Sequence, residues 1–223
     1  MGANETGGSG ADEAAGTGTP GTGPARVVVV MGVAGCGKST VAARLAELLC
    51  GSFKDGDELH PAENIAKMER GEPLDDADRM PWLAAVRDHS RASAAASGLH
   101  VVACSALARR YRDVLDGAGD VTYVYLEGSR ELIGARMHER KGHFMPESLL
   151  DSQFEALESP KGEPHTVTVD VEPPAEAVAL AAARALRERF GLPTDAPPGT
   201  ASEGGATGAA GANGANGASG TAS

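Results

Sequence analysis

The hydrophobic pattern begins abruptly. Residues 27–30 are four consecutive valines, a short apolar run that suits a strand covered on both faces. Residues 39–49, STVAARLAELL, change period: Val41, Leu45, Leu48 and Leu49 form a helical stripe. SFKDGD (52–57) is a weaker strand ending in acids. Residues 61–71 open with Pro61 and close with Gly71, the asymmetry of a helix. Residues 78–97 read as a helix with Pro81 in its first turn. LHVVACS (99–105) is a strand, 106–117 a helix stopped by Gly117, and VTYVYLEG (121–128) a strand. A helix over 129–142, with Ser129 as its N-cap, and another over 146–158 follow. The last strand is 165–171 and the last helix 174–191. Strands separated by helices predict an α/β fold of three layers, with a parallel sheet covered on both sides.

The two ends lack this pattern. Residues 1–25 and 193–223 are dominated by Gly, Ala, Thr, Ser and Pro. Such stretches bury too little apolar surface to offset the entropy of ordering them. They are expected to be flexible tails around one domain, 26–192. The tails hold five of the 31 acids and no Lys or Arg, which leaves 26 acids against 20 bases in the domain. That balance argues against nucleic acid or an anionic membrane as a partner. Cys36, Cys50 and Cys104 are scattered and suggest neither a disulfide framework nor a zinc site. No basic-then-apolar leader pattern and no apolar run of membrane length is present, so a soluble cytoplasmic protein is expected.

Between the first strand and the first helix lies MGVAGCGKST (31–40). Gly32, Gly37, Lys38 and Ser39 match G-x-x-x-x-G-K-[ST], the P-loop of nucleotide-binding proteins. Its glycines let backbone N–H groups converge on an anion, and the following helix adds the positive end of its dipole. Gly32, Val33, Ala34, Gly35, Cys36, Gly37, Lys38, Ser39 and Thr40 are therefore the expected triphosphate site. Lys38 meets the β- and γ-phosphates, and the Ser39 hydroxyl is placed for Mg²⁺. Cys36 reads either as a small filler or as a thiol of lowered pKa. No N-K-x-D guanine motif is present, nor an apolar strand ending in Asp-Glu as in motor ATPases. DGDELHP (55–61) puts two acids at the end of the second strand, where ligands bind in open parallel sheets. One could support Mg²⁺ and the other activate an acceptor hydroxyl; a solvated acidic turn is the bland alternative.

Residues 55–83, CSALARRYRD (104–113) and RKGHFMPESLLDSQFEALESP (140–160), together with the P-loop, resemble the gluconokinases, small P-loop carbohydrate kinases similar to shikimate kinase. The resemblance spans about 27–190. It implies a five-stranded parallel sheet with helices on both faces and a mobile lid, and transfer of the γ-phosphoryl of ATP to the 6-hydroxyl of D-gluconate. Asp57 would be the general base and Asp55 would support Mg²⁺ through water. Arg79 would hold the substrate carboxylate, an arginine's fork being suited to bidentate contact; pairing with Asp75 or Asp76 is the alternative. His60 and Arg112 would also touch substrate, Arg112 ranking ahead of Arg109 and Arg110. Arg140, in the lid, would stabilise charge on the transferring phosphoryl. Trp82 reads as core, and Gln153 and Phe154 as helix-face residues without assignable chemistry. The resemblance leaves a homodimer open, although no interface is readable. Rival readings are a kinase of shikimate type and an ATP-sensing module without turnover. ACSAL stands where shikimate kinases have a glycine triplet, which weakens the first rival.

Overall fold

The computed structural model describes residues 24–139 and 147–193. Apart from 24, 25 and 193, the expected tails lie outside the described residues, as does the lid segment 140–145. Five strands form one parallel sheet: β1 (Arg26–Met31), β2 (Ser52–Asp55), β3 (Leu99–Ala103), β4 (Asp120–Glu127) and β5 (Thr166–Asp170), in the order β2-β3-β1-β4-β5. The helices are α1 (Lys38–Leu48), α2 (Ala62–Glu69), α3 (Asp76–Ser97), α4 (Arg109–Leu115), α5 (Arg130–Glu139), α6 (Glu147–Glu155) and α7 (Ala175–Phe190).

The valine run explains the layering. Side chains alternate across a strand, so Val28 and Val30 join one core and Val27, Val29 and Met31 join the other. The first core lies between the sheet and α1 and α7, through Leu45, Ala182 and Leu186. The second lies against α3 and α4, through Leu83, Val86 and Leu115. Both faces of β1 are therefore sealed, and its core valines are at most 1% exposed. β1 sits between β3 and β4. The chain leaves β1 for a helix on one face and leaves β3 for a helix on the other, which opens a crevice at their carboxyl ends.

Local chemistry sets the helix ends. Ser129 Oγ accepts from the Leu132 amide at 3.2 Å, as its capping role predicts. α3 begins earlier than the sequence suggests. Asp75 and Asp78 form a reciprocal capping box, with Asp78 N donating to Asp75 Oδ1 at 2.9 Å and Asp75 N donating to Asp78 Oδ2 at 3.1 Å. The box fixes Asp76 as the first helical residue, so Pro81 falls inside the helix rather than in its first turn. Among the described residues, no helix is long and apolar enough to cross a membrane.

Candidate active site

The crevice is lined first by the β1–α1 loop. Gly32, Gly35 and Gly37 take φ of +144°, +82° and +96°, conformations that L side chains resist. Space is short as well: a Cβ at Gly35 would lie 2.5 Å from Met137 Cγ on α5. Gly37 is the N-cap of α1, so the loop runs directly into the helix dipole. Lys38 Nζ bonds the Val33 carbonyl at 3.1 Å, folding the ammonium back over the loop. Cys36 is buried, and burial raises its thiol pKa against the opposing pull of Lys38. It is a protonated filler, not an activated thiol.

β2 delivers the acids. Asp55 ends the strand, and its Oδ1 accepts from the Asp57 amide at 3.0 Å, opening a 3₁₀ turn over Gly56–Leu59. The Asp57 side chain stays 76% exposed in the crevice. Crowding by protein raises its carboxyl above the ordinary carboxylate range; Lys38 opposes this and Asp55 adds to it. Trp82 Nε1 donates to the Gly56 carbonyl at 2.8 Å and so pins the turn from the core. The His60 ring stacks on Trp82 with centroids 4.1 Å apart. Asn64, only 4% exposed, places Nδ2 3.3 Å from His60 Nδ1 and donates to the Asp78 carbonyl at 3.0 Å. An amide donor there makes Nδ1 the acceptor and leaves the ring proton on Nε2, 3.9 Å from Asp57 Oδ1. Burial, with the charge of Arg79, lowers the His60 pKa against the pull of Asp57, so the ring is neutral at pH 7.

Arg79 is half-buried on the first turn of α3. Its Nη1 donates to the Tyr111 hydroxyl at 3.1 Å. Asp76, the expected alternative partner, is taken by Arg110 at 2.8 Å and by the Tyr111 hydroxyl at 2.5 Å. Among the described residues, no carboxylate lies within ion-pair distance of Arg79. Beyond the P-loop, a cavity of about 430 Å³ is lined by Gly35, Thr40, Arg136, Val171 and Pro174. Arg136 is fixed there by the carbonyls of Val171 and Glu172, at 2.6 and 2.8 Å.

This arrangement has known counterparts. A family model described as shikimate kinase matches residues 34–162. The thermoresistant gluconokinase of Escherichia coli is 41% identical over 164 residues, covering 73% of this chain and 94% of that protein. The thermosensitive gluconokinase of the same organism is 46% identical over 145 residues, 64% of this chain and 78% of that protein. The chain belongs to the gluconokinase family. The crystal structure of a gluconokinase from Sinorhizobium meliloti superposes with a TM-score of 0.68 at 46% identity, covering 75% of this chain and 96% of that one.

Within this gluconokinase framework most of the expected site residues meet at one end of the sheet. The P-loop residues, Asp55, Asp57, His60 and Arg79 all border the crevice, linked by the charge interactions described above. Arg112 does not, and this corrects the sequence expectation. It is 1% exposed, with Nη1 bound to the Ala106 and Leu107 carbonyls at 3.1 Å each and Nη2 to Glu163 at 3.0 Å. Its charge is spent holding the β3–α4 loop, where Ala106 carries a left-handed φ of +46°. Arg109 shares that face and also reaches Glu163, at 3.3 Å. Arg140 lies outside the described residues. Sequence reasoning missed Asn64, Arg136, Tyr111 as a partner of Arg79, and Gln153, whose Oε1 accepts from the Ala34 amide at 2.6 Å.

Proposed function

We propose that the chain transfers the γ-phosphoryl group of ATP to the 6-hydroxyl of D-gluconate. One observation carries this reading. In a chain of the gluconokinase family, His60 Nε2 lies 3.9 Å from the accessible Asp57 carboxylate, and Arg79, close enough to act on His60, has no carboxylate partner among the described residues. A hydroxy acid spanning these groups puts its carboxylate on Arg79 and its far hydroxyl by Asp57, facing the phosphate cradle.

The residues then divide the work. The P-loop amides and Lys38 hold the triphosphate. The cavity beside Arg136 and Pro174 takes the nucleoside. Asp57 orients the 6-hydroxyl and accepts its proton, a role that its raised pKa favours. Neutral His60 offers an Nε2–H to a substrate oxygen without adding charge. Ser39 is exposed beside the phosphate cradle, and among the described residues Asp55 Oδ2 has no hydrogen-bond partner, only Oδ1 being used by its turn. Two hard oxygen donors of this kind fit Mg²⁺, which prefers a few protein oxygens with phosphate and water. When bound, the metal would neutralise charge on the β- and γ-phosphates. Positioning and charge stabilisation supply the acceleration.

The test is ADP release with Mg-ATP against D-gluconate, other aldonic acids, shikimate and no acceptor. Stimulation by D-gluconate above the rest is expected. Preference for another acid would move the substrate, and no stimulation with ATP still bound would leave a sensing module.

A further inference from the structure

The Val33–Ala34 peptide is gripped at both ends. Its carbonyl accepts from Lys38 Nζ at 3.1 Å and its N–H donates to Gln153 Oε1 at 2.6 Å. Gln153 lies 119 residues away in sequence, near the end of α6. It is not there by chance of a loose helix. Just beyond it, the Glu158 amide donates to the Leu107 carbonyl at 3.0 Å, and Glu158 Oε2 accepts from the Arg109 amide at 2.7 Å. The end of α6 is thus fastened to the β3–α4 loop while Gln153 reaches the β1–α1 loop.

The donor identity of the Ala34 N–H fixes the amide orientation: Oε1 faces the loop and Nε2 faces away from that bond. Among the described residues, Nε2 has no hydrogen-bond partner. A half-buried neutral donor is therefore held within about one peptide width of the Val33–Ala34 unit, whose carbonyl accepts from Lys38 Nζ. Lys38 is the group that meets the outer phosphates of a P-loop nucleotide. We propose that Gln153 Nε2 donates to the terminal phosphoryl group of bound ATP, making Gln153 a contact that distinguishes triphosphate from diphosphate. The assignment rests on the nucleotide-binding half of the kinase reading, the P-loop as a triphosphate site, and adds a residue to it. A neutral amide suits the place, because it offers a hydrogen bond without a counter-charge that would hold the phosphoryl group back.

The experiment is equilibrium binding, by calorimetry, of ADP and of the β,γ-imido analogue of ATP with Mg²⁺. Wild type is compared with Gln153→Met, which keeps length but neither donates nor accepts strongly, and with Gln153→Glu, which keeps the acceptor for Ala34 and loses the donor. Loss of a hydrogen bond to a charged group predicts analogue binding weakened about tenfold or more in Gln153→Met, and further in Gln153→Glu, with ADP within about twofold of wild type. Equal weakening of both nucleotides would mean that Gln153 only props the loop, and would overturn the assignment. Unchanged binding would overturn it as well. So would tighter analogue binding, which would show that Gln153 merely plugs an amide the nucleotide needs. Turnover is not required: if Gln153 discriminates in binding but wild type phosphorylates no acceptor, the kinase reading fails and this assignment stands.

Discussion

The Tyr111 hydroxyl accepts a hydrogen bond from Arg79 Nη1 at 3.1 Å while donating its own proton to Asp76 at 2.5 Å. Arg110 completes the arrangement, pairing with Asp76 and lying 4.8 Å from the Tyr111 ring centre. The phenol thus aims a guanidinium that it does not neutralise. Tyr111→Phe keeps the ring and removes the hydroxyl, with its bonds to Arg79, Asp76 and Arg110, while Arg110 still pairs with Asp76. It should raise KM for D-gluconate about fivefold, the effect of roughly 1 kcal/mol, with KM for ATP unchanged. Steady-state kinetics with each substrate varied will show it; an effect on ATP instead would place Arg79 elsewhere.

Arg112 is a stability residue. Arg112→Met would strand the Ala106 and Leu107 carbonyls and leave Glu163 without its buried partner. A loss of about 3 kcal/mol in unfolding free energy is expected, at the lower end of a broken buried pair because Glu163 keeps 26% of its side chain exposed. Urea denaturation measures it. Wild-type stability combined with a raised KM for gluconate would return Arg112 to the substrate.

Asp57 must be ionised to accept a proton, and its folded pKa lies above the ordinary value of 3.8. Activity should therefore fall as pH drops through a window above that value. The acid limb of kcat/KM for gluconate should shift or vanish in Asp57→Asn. A limb at or below the ordinary carboxylate range in wild type would count against Asp57 as the base.

A second pH effect belongs to the opposite end of the sheet. His100 on β3 is 1% exposed; Nδ1 bonds Ser52 Oγ at 2.8 Å and Nε2 is buried without a hydrogen-bond partner among the described residues. Burial first, and then the neighbouring His89, lower its pKa from 6.5 to about 4. The unfolded chain therefore binds the extra proton first, and stability is lost as pH falls from 6.5 towards 4. The full shift corresponds to about 3 kcal/mol. His100→Gln should flatten that part of the stability–pH curve relative to wild type. Identical slopes would show that His100 does not carry it.

The fold was largely legible because each strand and helix declares itself over neighbouring residues. The valine run, the glycine-lysine loop and the Ser129 cap all act within a few positions of one another. The site was legible where chemistry is local, as in the acids of 55–57. It was not legible where polar side chains on helices meet distant loops. Gln153 and Arg112 both sit on patterned helices, where a side chain facing solvent reads the same as one facing a carbonyl from another element. Pro81 misled for a related reason: proline marks a first turn by preference, but the Asp75–Asp78 box sets the start more strongly.

The most direct measurement is the identity of the phosphorylated product. Wild type should be incubated with Mg-ATP and D-gluconate and the product examined by ³¹P and ¹³C NMR. The account predicts a single phosphomonoester whose phosphorus couples to C6, because Arg79 holds the carboxylate while Asp57 meets the far hydroxyl. Phosphate released to water, or phosphoryl attached to the carboxylate or another carbon's oxygen, would contradict it.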